Sequence, residues 1–125
     1  MNLHLHGRVL PRDEEQDIYV VNGRITFHKP KEFKSVVQNG YIIPGLVDAH
    51  AHLSLNSPSA EAAAKTHLHA GVLAVREPGS PDYAGLKLHV EDGYPRIQTG
   101  GRFLAPHGKY FPGLAREIDE NWLPE

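Results

Sequence analysis

The pattern of apolar residues changes period at Pro44-Gly45, and that change divides the chain into two kinds of structure. Before it, short alternating runs are broken by turn dipeptides. Asp17–Val21 and Arg24–His28 flank Asn22-Gly23, whose residues both tolerate positive φ and so suit a tight type I′ hairpin. Asn39-Gly40 separates Lys34–Gln38 from Tyr41–Ile43 and takes the same reading, and Pro30-Lys31 marks the link between the two hairpins. With a loosely alternating stretch from Asn2 to Leu10, residues 2–43 are expected to form a small antiparallel sheet of four or five strands.

After Pro44-Gly45 the chain alternates strands with helices. Leu46–His50 is a short apolar run, as expected of a strand buried on both faces. Ser57 is a plausible N-cap, Pro58 fits a first turn and Glu61 lies near the positive helix end; the alanine-rich segment then propagates to Ala70 and Gly71 stops it. Val72–Val75 is a second strand. Asp82 caps a helix running to about Glu91, and Arg96–Thr99 is a third strand. A long loop follows, and Glu117–Trp122 reads as the start of another helix. Strand, helix, strand, helix, strand within about 55 residues specifies a βαβαβ unit with a parallel sheet. The expected fold class is therefore α/β with an N-terminal antiparallel β region, divided into 1–44 and 45–125.

Composition removes several function classes. Apolar residues make up 40% of the chain and charged residues 22%, the balance of a globular domain. The formal charge is −2 with acids and bases interspersed, so no basic stripe points to nucleic acid. No apolar run approaches the roughly 18 residues of a membrane helix, and the first residues lack the pattern of a secretory signal, so the expected location is the cytoplasm. There is no cysteine, hence no disulfide and no thiolate metal site.

Histidine is over-represented, with nine in 125 residues. Three His-x-His triplets occur: His4/His6, His50/His52 and His67/His69. Residues i and i+2 of a strand share a face, so two imidazoles there can converge on one ion. On a helix they lie about 200° apart. His67 and His69 fall in the expected helix and read as one surface and one partly buried side chain. His4 and His6, with no acid near them in sequence, read as a solvent-facing row on an edge strand. His50 and His52 follow a short buried strand, at the end where barrel active sites form, and Asp48 shares their face. The residues alone leave two readings equally open for this pair, a metal site and a hydrogen-bonded core pair.

The segment Tyr-Ile-Ile-Pro-Gly-Leu-Val-Asp-Ala-His-Ala-His-Leu, residues 41–53, resembles the amidohydrolase superfamily signature Pro-Gly-hydrophobic-hydrophobic-Asp-x-His-x-His. Residues 71–80 resemble the second barrel strand of its imidazolonepropionase-like or dipeptidase-like branch, usually Gly-Val-Thr-Thr-Val-Arg-Asp-x-Gly, with Glu77 in place of the aspartate. Residues 95–106 resemble that branch's third strand and following loop. The resemblance covers nearly the whole chain. It implies that residues 1–44 are part of a composite β-sandwich domain, and that 45–125 are the first three βα units of an incomplete (β/α)₈ TIM-type barrel.

By the same resemblance, His50 and His52 would ligate a divalent metal, most readily zinc, with one or two ions in the intact enzyme. Asp48 would orient the strand end or serve as a ligand. Arg76 and Glu77 match an Arg-Asp pair whose plainer role is a salt-bridged anchor for loops. His107, in the loop after the third strand, would contact substrate or remain solvated. The implied activity is hydrolysis of C–N bonds in a small amide, cyclic amide or dipeptide-like molecule by a metal-activated water. The remaining ligands and the general base would come from later barrel strands, so the isolated chain is expected to be inactive. The alternative is a non-catalytic or split-gene module that completes its barrel with another chain; a homo-oligomer fits either reading.

Overall fold

A computed structural model of the protein describes residues 1–55, 57–89, 91–119 and 121. Two compact units, Met1–Pro44 and Gly45–Glu125, meet in sequence at Pro44/Gly45.

The first unit is a four-stranded sheet of β1 (Leu3–Val9), β2 (Glu14–Val21), β3 (Arg24–Thr26) and β4 (Lys34–Ile42), in the order β3-β2-β1-β4. Asn22 and Gly23 have φ of 51° and 73°, and Val21 pairs with Arg24 across them, which is the two-residue hairpin expected. Asn39-Gly40 does something else. No hairpin forms there: β4 runs through both residues and pairs in parallel with β1. The sheet is therefore mixed, where an antiparallel one was expected. The chain reaches β4 by a long connection from β3, which lays it along the far side of β1 in the same direction. Between the pairs His6↔Gln38 and Arg8↔Tyr41, two residues of β4 face the single Gly7. The positive φ that Asn-Gly tolerates, 65° and 154° here, forms this bulge. A Cβ at Gly7 would lie 2.6 Å from the Gly40 carbonyl oxygen, so the close approach requires glycine.

β1 is thus a central strand, which corrects the reading of His4 and His6 as an edge row. The β1–β2 register sets Asp17 opposite His6, and both imidazoles donate to Asp17 Oδ1, from His4 Nε2 at 2.8 Å and His6 Nδ1 at 3.0 Å. The His4 ring also stacks on Tyr19 at 4.9 Å.

The second unit is a three-stranded parallel sheet in the order β5-β6-β7, formed by β5 (Leu46–Asp48), β6 (Val72–Glu77) and β7 (Arg96–Thr99). Helix α1 (Ala60–His69) connects the first two and α2 (Ala84–Leu88) the last two. The cap of α1 is Ser59 rather than Ser57; its side chain accepts the Ala62 N–H at 3.2 Å, and Gly71, at φ 83°, follows the helix end. Both helices lie on one face. Ala60 and Ala64 from α1 and Leu88 from α2 pack with Leu53, Val75 and Ile97 into one buried cluster. The other face carries Val47, Ala74, Arg76, Arg96 and Gln98 around an open groove of about 220 Å³. β5 is not buried on both faces: Leu46 and Val47 are 48% and 68% exposed, because β5 is an edge strand with a helix on one side only.

The helix expected from Glu117 is instead a strand. β9 (Arg116–Ile118) pairs in parallel with β8 (Leu104–Pro106), anchored by the Arg116 N–H on the Phe103 carbonyl at 2.8 Å. Trp122, the expected helix's last residue, lies outside the described residues. Among the described residues no helix is long and apolar enough to cross a membrane.

Candidate metal centre

Strand β5 ends at Asp48, so His50 and His52 sit just beyond it, and strand periodicity is not what brings them together. Three contacts do so. Asp48 Oδ1 accepts the His50 N–H at 3.0 Å, turning the chain at the strand end. The Ala51 N–H donates to the Arg76 carbonyl at 3.1 Å, tying the turn to β6. The His52 ring donates from Nδ1 to the Gly79 carbonyl oxygen at 2.6 Å.

The last contact has a chemical consequence. A carbonyl oxygen only accepts, so the neutral ring's proton sits on Nδ1 and the Nε2 lone pair is left free. That lone pair faces His50: the two Nε2 atoms are 3.2 Å apart, with the rings nearly perpendicular at 84°. Zinc–imidazole bonds are about 2.05 Å long, so this 3.2 Å separation corresponds to an N–metal–N angle of roughly 100°, close to tetrahedral. The pair fits two positions of a divalent ion's coordination sphere. Among the described residues no three His, Cys, Asp or Glu side chains are arranged to hold an ion.

Neighbouring side chains hold the His52 ring. Phe103 packs against it at 5.3 Å, and a Cβ at Gly79 would lie 2.6 Å from that Phe103 ring. Asp48 does not project a carboxylate oxygen between the imidazoles. Oδ2 lies 3.2 Å from His67 Nε2, while His67 Nδ1 lies 2.9 Å from the Ala63 carbonyl oxygen. The Asp48 carboxyl is held below the usual carboxylate range, first by the His50 backbone N–H and then by His67. His67 thus braces the strand end from α1, and His69 stays exposed on the helix surface.

Arg76 and Glu77 do not pair with each other; they point to opposite faces of β6, Arg76 exposed and Glu77 fully buried. Glu77 does anchor loops, but through other partners. Its Oε1 accepts the Leu53 N–H at 3.0 Å and its Oε2 accepts the Thr99 hydroxyl at 2.8 Å. His107 is solvent-exposed and donates to Glu117 Oε2 at 2.7 Å, away from the imidazole pair; Glu117, lowered by the Gly108 N–H and then by His107, holds it there. Gly79 is the last glycine of the motif at residues 71–80 and Phe103 lies within residues 95–106, but neither resemblance assigns them a role. The Gly79 carbonyl leaves no side-chain signature, and Phe103 looks like any loop aromatic.

No protein-family model matches this chain. It is 38% identical over 132 residues to an uncharacterized protein of Mycobacterium tuberculosis (strain ATCC 25618 / H37Rv), an alignment covering 99% of this chain and 35% of the relative. The chain therefore spans about a third of the length of the curated relatives it matches. Among solved structures, a prolidase-type protein from Bifidobacterium longum matches with a TM-score of 0.70 and 25% identity over 97% of this chain and 34% of its own. A prolidase crystallised with N-methylphosphonate-L-proline matches with a TM-score of 0.67 and 22% identity, covering 95% of this chain and 41% of its own. The structural neighbours are thus prolidase- and amidohydrolase-type proteins, in agreement with the motif at residues 41–53.

Proposed function

We propose that this chain, with its amidohydrolase-type fold, forms the N-terminal part of a metal-dependent hydrolase that cleaves C–N bonds in amide or dipeptide-like substrates. The observation that carries the reading is the His50–His52 pair, with Nε2 atoms 3.2 Å apart and the His52 tautomer set by Gly79. A divalent ion there, most readily zinc, supplies a Lewis acid for the scissile carbonyl and a water that is nucleophilic near neutral pH. The chain's own task is to hold two imidazole lone pairs in register, through the Asp48 turn and the Gly79 carbonyl, so that little reorganisation accompanies binding. The prolidase and Xaa-Pro dipeptidase descriptions of structural neighbours make a dipeptide with C-terminal proline the first substrate to try.

A catalytic zinc usually has three protein ligands, and this reading assigns two; among the described residues no group of three His, Cys, Asp or Glu could hold an ion. The sheet order β5-β6-β7, with both helices on one face, is compatible with the winding of a barrel; one half of a doubly wound sheet shares that order, and the motif at residues 41–53 favours the barrel. The uncovered face with Val47 is the side a barrel would close over. Residues 45–125 therefore read as the first three βα units, and the missing ligand and general base belong to strands that follow or to a second chain. The test is hydrolysis of Xaa-Pro dipeptides and N-acyl amino acids by the full-length protein with Zn²⁺. Chelator-sensitive turnover that disappears in the His50→Ala/His52→Ala protein is expected; turnover unaffected by that double substitution refutes the site. Robust chelator-sensitive hydrolysis by residues 1–125 alone would refute the incompleteness.

A further inference from the structure

Glu77 is the most deeply buried acidic side chain described, at 0% exposure, and neither of its partners carries a charge. A carboxylate removed from water is costly unless its oxygens are well satisfied, so an apolar residue would be the cheaper occupant of a purely structural position. The position is built around the carboxylate all the same. Its two oxygens reach the loops that follow the two flanking strands: Leu53, directly after His52, and Thr99, at the end of β7. Thr99 Oγ1 in turn accepts the Gly101 N–H at 3.1 Å, and the Glu77 carbonyl accepts the Gly100 N–H at 2.9 Å. Helix α2 presents Gly85 to the carboxylate. A Cβ there would overlap Glu77 Oε2 and stand 3.3 Å from Thr99 Cβ. Glu77 and Gly85 are thus fitted to one another, and the fit decides where the Leu53 N–H, and the His52 ring before it, comes to rest.

We infer that Glu77 is a positioning residue for the imidazole pair, a buried clamp that sets His52 through the Leu53 amide and works only because Gly85 leaves room for it. The inference rests on the half-site reading of His50 and His52. An amide at this position offers one acceptor and one donor, so Glu77→Gln leaves either the Leu53 N–H or the Thr99 hydroxyl without its acceptor. Gly85→Ala forces the carboxylate off its seat. Glu77→Asp draws the carboxylate back from α2, so a methyl at residue 85 loses its overlap with the carboxylate and keeps only the milder 3.3 Å contact with Thr99 Cβ in that background.

The experiment is a Co²⁺ titration of the full-length protein, read by the visible absorption of the bound ion, together with amide hydrogen exchange at Leu53 in the metal-free protein. Glu77→Gln should lower Co²⁺ affinity by about 10- to 100-fold, alter the visible spectrum and speed Leu53 exchange, as loss of a partner behind a metal ligand does elsewhere. Gly85→Ala should cost about tenfold in the wild-type background and less than threefold in Glu77→Asp, which is the coupling a double-mutant cycle detects. Wild-type affinity, spectrum and Leu53 exchange in folded Glu77→Gln would overturn the inference, as would equal costs of Gly85→Ala in both backgrounds. Should Glu77→Gln not fold, the Gly85 cycle decides alone. The His50→Ala/His52→Ala protein separates the two claims: if it still binds Co²⁺ with the wild-type spectrum, the half-site reading fails, and Leu53 exchange still judges the clamp.

Discussion

Removing the His52 imidazole tests the half-site most directly. Its Nε2 lies 3.2 Å from that of His50, a separation that an ion about 2.05 Å from both nitrogens would span at an angle of roughly 100°. Four-ligand zinc sites bind with about 10–16 kcal/mol at neutral pH, or about 2.5–4 kcal/mol per ligand, which is a hundredfold to a thousandfold in affinity. Preorganisation by the Gly79 carbonyl places His52 towards the upper part of that range, because its lone pair needs no tautomer change. His52→Ala in the full-length protein should therefore weaken Zn²⁺ binding by two to three orders of magnitude, measured by competition with a chromophoric chelator. His67→Ala is the contrasting case. Both its ring nitrogens are directed at oxygens, Asp48 Oδ2 and the Ala63 carbonyl, so neither is turned toward the imidazole pair. Its removal should weaken zinc binding tenfold or less, by loosening Asp48. A His52→Ala protein within threefold of wild-type affinity would refute the geometric reasoning, and so would a His67→Ala protein that lost as much as His52→Ala.

Other substitutions test the scaffold. Gly7→Ala brings a Cβ to 2.6 Å from the Gly40 carbonyl, a backbone atom that cannot swing aside, and should destabilise the first unit by about 1–3 kcal/mol in urea unfolding. Ser59→Ala removes the acceptor of the Ala62 N–H and should cost about 1 kcal/mol by the same measurement, while Ser57→Ala should be neutral. Asp17 is held below the usual carboxylate range, first by His4 and then by His6. Its folded pKa is lower than its unfolded one, so its contribution is complete above about pH 4 and is lost as pH falls through the folded value. The stability difference between wild type and Asp17→Asn should accordingly shrink from pH 5 towards pH 2; a difference that stays constant would refute the assignment.

Two identical dipeptides show how much of the fold could be read from sequence. Asn22-Gly23 and Asn39-Gly40 carry the same tolerance for positive φ, and both residues use it in both places. The first joins neighbouring strands, so the local preference settles the structure. The second lies inside a strand whose partner is β1, thirty residues earlier, and the same preference produces a bulge opposite Gly7. Local chemistry specified the conformation; which strand lay alongside was a long-range matter. The same division runs through the site. Asp48, His50 and His52 are legible because the motif is local. What aims the imidazoles is not: the Gly79 carbonyl and the Phe103 ring arrive from the loops after β6 and β7. Glu77 sits between these cases. An acid at the end of an apolar strand is visible in sequence, and its pairing with Arg76 was a natural expectation. Alternation along β6 excludes that pairing, since adjacent strand residues face opposite sides. The burial of its carboxylate then depends on Gly85, whose missing side chain is a space that only the packed helix reveals.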